Sequence, residues 1–451
     1  MNLLDKIQAA GVTGCGGAGF PAHAKLRGLD ARVPGVDTFI VNAAECEPLL
    51  RTDRYLMLHK ADAMITAVLA VKEQLGAARA VIALKESYHD EIQSLCGAIA
   101  DLPIELHQTQ SFYPAGDEQV TVFEVTGRVV PPAGLPLDVG CVVSNAGTMH
   151  AVYHAMQGRP FTQKHLTMAG AVNEPCVIQA PLGTSFEECL ALAGGTDLNE
   201  YVVVSGGPMM GKIVCKDDLA NLRVTKTTSG FIILPGHAKL CQLADLPMKY
   251  MRNRARAACV QCSFCTQLCP RRLLGHPLEP HKIMRKIAAL PVEDQLDDPV
   301  IRSAQYCCEC GVCELVACPM RLSPRGVNRE LKQMLSARGI RPQKGEFGLR
   351  PMQYRAERAI PTSRAAMSAG VHRWQREITR FIEAKPARVN IALNSHIGAP
   401  AMPIVKAGER VTLGQCIAVQ PEGALGVPYH ASIEGVIESA GGEIVIAGEG
   451  V

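Results

Sequence analysis

Nine of the eighteen cysteines crowd together between positions 259 and 318, and the spacing of the first four is that of redox metal ligands. These four read Cys259-x2-Cys262-x2-Cys265-x3-Cys269, and a proline follows at once. Thiolates three positions apart wrap a short loop around one face of a [4Fe-4S] cube, and the proline turns the chain away after the last ligand. The spacing therefore predicts an iron–sulfur cluster.

A second run follows as Cys307-x2-Cys310-x2-Cys313-x4-Cys318, again with a proline after it, and it is one residue longer than the first. In two-cluster ferredoxins the fourth cysteine of each run ligates the other cluster. We therefore assign one cluster to Cys259, Cys262, Cys265 and Cys318, and the other to Cys307, Cys310, Cys313 and Cys269. The extra residue falls in the crossover segment, which can absorb it.

Two questions about these cysteines stay open. Cys308 lies beside Cys307, and spacing does not show which of the two is the ligand. A pair of four-cysteine zinc sites is the alternative to the clusters, although structural zinc sites usually pair two Cys-x2-Cys units. Three cysteines in succession with a Cys-Pro ending favour iron and sulfide.

Basic residues dominate the segment around the first run. Between Arg252 and Lys286 there are eight Lys or Arg residues and one acid, Glu279. This excess either offsets the negative charge of the thiolate-ligated clusters or forms a docking surface for an acidic partner or an anionic ligand.

A glycine-rich segment near the N-terminus is a second candidate site. Residues 14–19 hold four glycines, followed by Phe20 and Lys25, and such a backbone can approach a phosphate or a flat ring closely. The segment lacks the context of a dinucleotide-binding fingerprint, because residues Leu3–Ala10 before it read as a short helix. On the residues alone, a plain glycine turn is an equal alternative.

The glycine segment resembles a loop shared by the flavoprotein subunit of respiratory complex I and the C subunit of the Rnf electron-transport complex. Three further segments resemble motifs of the same two families, and all four occur in the expected order within about 150 residues. These three segments are Val41–Pro48, Tyr113–Gln119 and Ser144–Thr148.

The resemblance implies binding of FMN and of NADH as electron donor. By this similarity FMN is held by Gly14, Gly16, Gly17, Gly19, Asn42, Glu45, Gly116 and Asn145, and NADH by Phe20, Lys25, Glu47 and Glu118. A phenyl ring can stack on the nicotinamide nucleotide, a lysine can meet a phosphate, and carboxylates accept hydrogen bonds from ribose hydroxyls. Cys15 and Ala44 depart from the complex I pattern, which has Arg and Asp there, so we expect weaker ligand contacts at both positions.

The remaining chain reads as smaller modules. After Phe161, short strands over 177–180, 201–205 and 231–234 and a helix over 185–193 are similar to the soluble-ligand-binding β-grasp domain of both relatives. A corrinoid is one candidate ligand of this domain, and a purely structural spacer is the alternative. An Arg- and Pro-rich linker follows, with a helix expected near Val371–Glu383. The segment from Val389 resembles a barrel-sandwich, and its only lysine, Lys406, lies in a turn, so we expect a docking module without a covalent cofactor.

The predicted fold is multidomain α/β and α+β. Its parts are an FMN- and NADH-binding α/β domain (1–160), a β-grasp domain (161–238), a helical two-[4Fe-4S] ferredoxin-like domain (239–338), a linker with a helix (339–388) and a C-terminal barrel-sandwich β domain (389–451). This order resembles the cobalamin reductases of bacterial propanediol-utilisation microcompartments. The resemblance implies cobalamin as electron acceptor and, as further partners, an adenosyltransferase and microcompartment shell proteins. An Rnf C-like subunit that serves a membrane complex and a non-catalytic scaffold are the alternatives.

Composition sets limits on function. The net charge of +3 over 451 residues gives no global case for nucleic-acid binding. The longest apolar run near the N-terminus, Ala63–Val71, is too short to span a bilayer. Because Met1–Gln8 is not a secretory signal, we expect a cytoplasmic protein associated with a microcompartment. Met1–Ala10 either forms a short amphipathic targeting helix or packs on the flavin domain through Leu3, Leu4 and Ile7.

Overall fold

In the computed structural model, which describes residues 1–27, 35–243 and 246–448, the N-terminal domain is a four-stranded parallel sheet covered by helices. Its helices are α1 (Leu3–Ala9), α2 (Ala22–Arg27), α3 (Thr52–His59), α4 (Ala61–Leu75), α5 (His89–Ile99), α6 (Glu118–Thr126) and α7 (Ala146–Met156). Its strands are β1 (Thr38–Asn42), β2 (Arg79–Lys85), β3 (Glu105–Thr109), the short β4 (Phe112–Tyr113) and β5 (Cys141–Asn145). The sheet order is β3-β2-β1-β5, so the chain order reverses between β1 and β5. Open parallel sheets bind ligands at the carboxyl ends of the strands at such a reversal.

The helix α1 packs on this domain. Ile7 is fully buried, and Leu3 and Leu4 lie against the same core as the buried face of α4. The apolar side of the N-terminal helix is thus used within the fold, which supports packing over targeting. No helix in the described ranges is both long and apolar enough to cross a membrane.

The second domain is a mixed sheet with one helix. It contains β6 (Gln163–Gly170), β7 (Cys176–Pro181), α8 (Phe186–Leu192), β8 (Tyr201–Ser205), β9 (Lys212–Val214) and β10 (Gly230–Pro235), and the strand order is β7-β6-β10-β8-β9. The strands and the helix predicted from the glycine-punctuated pattern are all present, within one or two residues at their ends.

The cysteine-rich domain is helical. Its helices are α9 (Met248–Ala258), α10 (Phe264–Gln267), α11 (Pro270–Leu273), α12 (Pro280–Ala289), α13 (Pro299–Arg302) and α14 (Pro324–Ala337). A single π-helical turn runs over Val312–Ala317, between the third and fourth cysteines of the second run. A π turn holds more residues per turn than an α-helix, so it accommodates the extra residue of that run.

The expected helix near Val371–Glu383 is wrong. The helix of the linker, α15 (Thr362–Ala369), lies earlier and ends at Gly370, whose φ of 76° is left-handed. The strand β11 (Ile360–Pro361) precedes it and pairs with β4, while β12 (Phe381–Glu383) follows and adds a parallel strand beside β7. The linker therefore ties the first two domains to each other.

Two small sheets form the C-terminal domain. The strands β13 (Arg388–Ala392), β15 (Arg410–Val411), β18 (Gly435–Ala440) and β19 (Glu443–Ala447) form one sheet, and β14 (Met402–Pro403), β16 (Cys416–Val419) and β17 (Tyr429–His430) form the other. Glycines occupy the tip of the β18–β19 hairpin, and Lys406 lies outside the strands. The last predicted residues of this module, 449–451, lie outside the described residues. The five domain boundaries given above stay predictions.

Lys226 joins three of these domains. Its side chain is fully buried, and its Nζ donates hydrogen bonds to the carbonyl oxygens of Gly11 in the first domain (2.7 Å) and Pro428 in the last (2.9 Å). The ammonium also lies 4.1 Å from the centre of the Tyr429 ring, where a cation is attracted to the ring face. Burial lowers the pKa of Lys226 to about 7.

We expect this lysine to make the stability of the protein depend on pH. Above about pH 7 the folded protein releases the proton of Lys226 while the unfolded chain keeps it, so the free energy of unfolding rises with pH by up to about 1.4 kcal/mol per unit until the ordinary lysine pKa is reached. Lys226→Met removes this contribution, and denaturation at several pH values measures it. Lys216→Met, at an exposed site, is the control and keeps the wild-type slope. A Lys226→Met slope equal to the wild-type slope would contradict the expectation.

Candidate functional site

A cavity of about 1230 Å³ lies at the carboxyl edge of the N-terminal sheet. Ten of the twelve predicted FMN and NADH residues line it, namely Gly14, Gly16, Phe20, Lys25, Asn42, Glu45, Glu47, Gly116, Glu118 and Asn145. Gly17 and Gly19 are not among the lining residues. The four sequence motifs thus meet at one place, where β1 and β5 end side by side with Asn42 opposite Asn145.

The two asparagines hold the loops that form the cavity wall. The side-chain amide of Asn42 donates to the Gly116 carbonyl oxygen (2.8 Å), and its carbonyl accepts the Ala44 N–H (3.2 Å). Asn145 caps α7 by accepting the Gly147 N–H (2.9 Å) and donates to Asp53 Oδ2 (2.7 Å). Each asparagine therefore fixes the backbone on both sides of the point where the sheet order reverses.

Two glutamates leave oxygens free toward the cavity. Glu45 Oε1 accepts the Thr52 N–H (3.1 Å) and Glu47 Oε2 accepts the Met209 N–H (2.8 Å), whereas Glu45 Oε2 and Glu47 Oε1 are buried without a partner. Burial, and next the charge of Asp53, raises the pKa of Glu45 to about 8, and burial raises that of Glu47 to about 7. Unpartnered buried oxygens are costly unless a ligand satisfies them, so these carboxyl groups fit a ligand that carries hydrogen-bond donors.

The predicted NADH residues lie at a more open part of the cavity. Lys25 Nζ pairs with Glu118 Oε1 at 2.6 Å, and both side chains are more than a third exposed. Gly19 has a different role, because a Cβ there would lie 2.7 Å from the Thr227 methyl group. Its carbonyl also accepts the Ile397 N–H (3.0 Å), so the C-terminal domain docks on the glycine loop.

The cavity has lining residues that the motifs did not reveal. They are Asp53 on α3, His150 and His154 on α7, and Lys164 and His165 on β6. The spacing of His150 and His154 by four residues on a helix was an available signal, since such residues share one face. Lys164 and His165 belong to the next domain, and no local pattern places them here.

The first cysteine group surrounds a small cavity of its own. Cys259, Cys262, Cys265 and Cys318 all line it, as the assignment from spacing requires. Burial, and next the charges of Cys318, Cys262 and Cys259, raise the pKa of Cys265 to about 12. Cluster loading must therefore release protons from these thiols.

The second group lies beside the large cavity. Burial, then Cys307 and Glu314, then Cys269, raise the pKa of Cys313 well above its ordinary value, which places these sulfurs together. Cys310 lines the large cavity, and its carbonyl oxygen accepts a hydrogen bond from Tyr113 (2.7 Å). The second group is thus the one next to the predicted flavin site.

N–H donors already point at three of the predicted ligand sulfurs. Cys259 accepts from the Gln261 side chain (3.2 Å), Cys307 from the Glu309 backbone (3.3 Å) and Cys318 from the Leu322 backbone (3.3 Å). Hydrogen bonds to sulfur are one of the means by which proteins tune iron–sulfur clusters. Within residues 1–27, 35–243 and 246–448, no three metal-binding side chains converge closely enough to hold a single ion, as a zinc site requires.

Buried polar contacts hold the cysteine-rich domain against the large cavity. Arg271 forms two hydrogen bonds to the Asp117 carboxylate, at 2.6 and 2.9 Å, and both side chains are about nine-tenths buried. Arg325 donates to the Met209 carbonyl oxygen and to Glu314 Oε1 (2.8 Å). The basic stretch found in the sequence thus includes Arg271, which is an internal contact and not part of a solvated face.

Replacing Cys307 and Cys308 separately should show which one is a ligand. We expect Cys307→Ala to halve the iron and acid-labile sulfide of the reconstituted protein, from about eight to about four of each, because one of two cubes loses a ligand. Cys308→Ala should keep both clusters. Iron and sulfide assays with EPR of the reduced protein measure this, and a loss confined to Cys308→Ala would reverse the assignment.

Four family matches agree with this architecture. Residues 7–154 match the Nuo51 FMN-binding domain, 166–212 the SLBB domain, 258–323 the 4Fe-4S dicluster domain and 374–450 the RnfC barrel sandwich hybrid domain. The predicted fold class is confirmed, and the 4Fe-4S match excludes the zinc alternative. The FMN and 4Fe-4S cofactors expected from the sequence are those of the matched families.

Whole-chain relatives extend the match beyond single domains. The chain is 42% identical over 441 residues to "Cobalamin reductase PduS" of Salmonella typhimurium strain LT2, covering 97% of this chain and 94% of that protein. It is 41% identical over 438 residues to "Cobalamin reductase PduS" of Citrobacter freundii, covering 96% and 94%. A more distant relative, 32% identical over 60% of this chain and 56% of its own length, is the RnfC-type component of the proton-translocating ferredoxin:NAD(+) oxidoreductase complex of Clostridium ljungdahlii. The chain therefore belongs to the cobalamin reductase PduS family.

Proposed function

We propose that this chain is an NADH-dependent cobalamin reductase that converts cob(III)alamin to cob(II)alamin and cob(I)alamin. The observation that carries the proposal is the position of Cys310, which lines the same cavity as the residues of the FMN motifs. Bound FMN would accept two electrons as a hydride from NADH, and 4Fe-4S clusters carry single electrons, so together they suit an acceptor that is reduced in one-electron steps.

The residues at the open part of the cavity would bind the nucleotide. The Phe20 ring offers a face for stacking, and Lys25 offers a positive charge once its pair with Glu118 rearranges. The unpartnered oxygen of Glu47 can accept a hydrogen bond from a ribose hydroxyl. These roles position the donor next to the glycine loop and supply no acid or base, because hydride and electron transfer need none.

The flavin would lie deeper, against the carboxyl ends of β1 and β5. Gly14 and Gly16 leave the loop free of side chains there, and the unpartnered oxygen of Glu45 faces the same space. We assign Asn42, Asn145 and Gly116 to positioning this wall. Gly17 is exposed and Gly19 packs between domains, so their part in flavin binding is indirect.

The two cysteine groups differ in their distance from solvent. Cys310 and Cys313 are buried, whereas the loop of the first group carries Val260 and Phe264, which are 60% and 45% exposed. This order favours the first group as the place where electrons leave the protein. The corrinoid, or an adenosyltransferase that holds it, would then approach the Cys259–Cys265 loop.

The setting of the protein is proposed from its family alone. The relatives are named for cobalamin reduction, and the sequence resembles the reductases of propanediol-utilisation microcompartments. We propose that this chain works in association with such a compartment and its shell proteins. Because α1 is packed on the N-terminal domain, targeting would use another surface.

The anaerobic reduction of hydroxocobalamin by NADH tests the proposal. The reconstituted protein with FMN should change the corrinoid spectrum, and both Cys262→Ala and Cys310→Ala should slow that change at least tenfold, since each removes a ligand from one cluster. Cys96→Ala, at an exposed site outside both groups, is the matched control and keeps the parent rate.

Two results would overturn the proposal. If NADH bleaches the flavin and clusters while the corrinoid spectrum stays unchanged, the acceptor is a different one, as in an Rnf C-like subunit. If both cluster variants reduce cobalamin at the parent rate, the clusters are not on the electron path.

A further inference from the structure

One end of the large cavity carries an excess of positive charge. Lys164, on β6, lines it and is 5% exposed. Its ammonium makes one long hydrogen bond, 3.4 Å to the Cys15 carbonyl oxygen, and pairs with no carboxylate of the described residues. An ammonium has three protons to donate, and a buried cation without a counter-ion is costly. The position of Lys164 therefore favours an anionic ligand.

Three histidines surround the same end of the cavity. His165 is 7% exposed, lines the cavity and has a buried Nε2 without any partner. His150 Nε2 lies 3.3 Å from His154 Nε2, and the rings of His150 and His165 meet edge to face at 5.2 Å. Burial, and next the neighbouring positive groups, lower the pKa of His150 to about 2 and of His165 to about 3. Both rings are therefore neutral and can donate one N–H each to an anion.

The nearest acid does not neutralise this end. Asp53 accepts the Asn145 side-chain N–H (2.7 Å), and burial raises its pKa, so the carboxyl group resists ionisation. Arg159 also lines the cavity and adds a further positive charge. The basic end therefore keeps its charge for a ligand.

The rest of the cavity has the opposite character. Glu45, Glu47 and Glu118 line it, and the first two present unpartnered oxygens. A phosphate would be repelled there, whereas a flat ring with N–H and O–H donors would be accepted. An elongated ligand with one anionic end is thus oriented by the cavity itself.

We propose that Lys164, assisted by His150 and His165, binds the phosphate group of the flavin, an inference that rests on the proposed function. With its phosphate at Lys164, the flavin extends its ring toward Glu47 and Cys310, next to the second cysteine group. The exchangeable nucleotide instead meets the half-exposed Lys25–Glu118 pair. The second domain thereby contributes directly to the cofactor site of the first.

A comparison of FMN with riboflavin tests this, because riboflavin differs only in lacking the phosphate. We measure the affinity of the flavin-free protein for each by quenching of flavin fluorescence. Lys164→Gln should weaken FMN binding roughly tenfold to a hundredfold, as expected for one charged hydrogen bond, and leave riboflavin binding within about twofold. Lys164→Arg should keep most of the preference for FMN, and Lys216→Gln, at an exposed site of the same domain, should keep all of it.

The outcomes separate this inference from the proposed function. If the wild type binds neither flavin, the proposed function fails. If it binds FMN and Lys164→Gln keeps the FMN-to-riboflavin ratio, the inference is overturned, also when Lys164→Gln instead weakens the binding of ADP, which would assign Lys164 to the nucleotide. If Lys164→Gln no longer binds riboflavin, His165→Gln takes its place. A several-fold loss confined to FMN supports the inference, and an unchanged ratio overturns it.

Discussion

The buried ion pair between Arg271 and Asp117 is the contact on which the arrangement of redox sites depends. Asp117 lies inside the third sequence motif, where it also caps α6 by accepting the N–H groups of Gln119 and Val120 (both 3.1 Å). Arg271 follows Cys269, a predicted ligand of the second cluster, by two residues. Because a buried charge that loses its partner costs about 3–5 kcal/mol, the pair fixes the position of the ligand loop against the cavity wall.

The second domain acts as a wedge between the cavity and the cysteine-rich domain. Its Met209 backbone donates its N–H to Glu47 and accepts from Arg325, so one residue links a cavity carboxylate to the helix that follows the second cysteine run. Gly207 in the same turn has no room for a side chain, since a Cβ would lie 2.3 Å from Glu47. Together with Lys164 and Lys226, these contacts make the second domain part of the site and more than a spacer.

Much of the site could be predicted from the sequence because its motifs are local. Four short segments with fixed spacing identified ten lining residues, and the cysteine spacing identified the group around the small cavity. Lys164 and His165 escaped prediction because only the packing of two domains brings them to the glycine loop. The linker helix was misplaced because the strand β12 gains its conformation from pairing with β7, a contact that local propensity does not contain.

Stopped-flow spectroscopy of Asp117→Asn would test most directly whether the ion pair sets the path from flavin to clusters. Asparagine keeps the helix cap but removes the charge that Arg271 requires. With both cofactors loaded, we expect NADH to bleach the flavin at the parent rate and the later reduction of the clusters to slow at least tenfold. Glu279→Gln, which weakens the more exposed pair with Lys282, should change neither phase. Cluster reduction at the parent rate in Asp117→Asn would contradict the account.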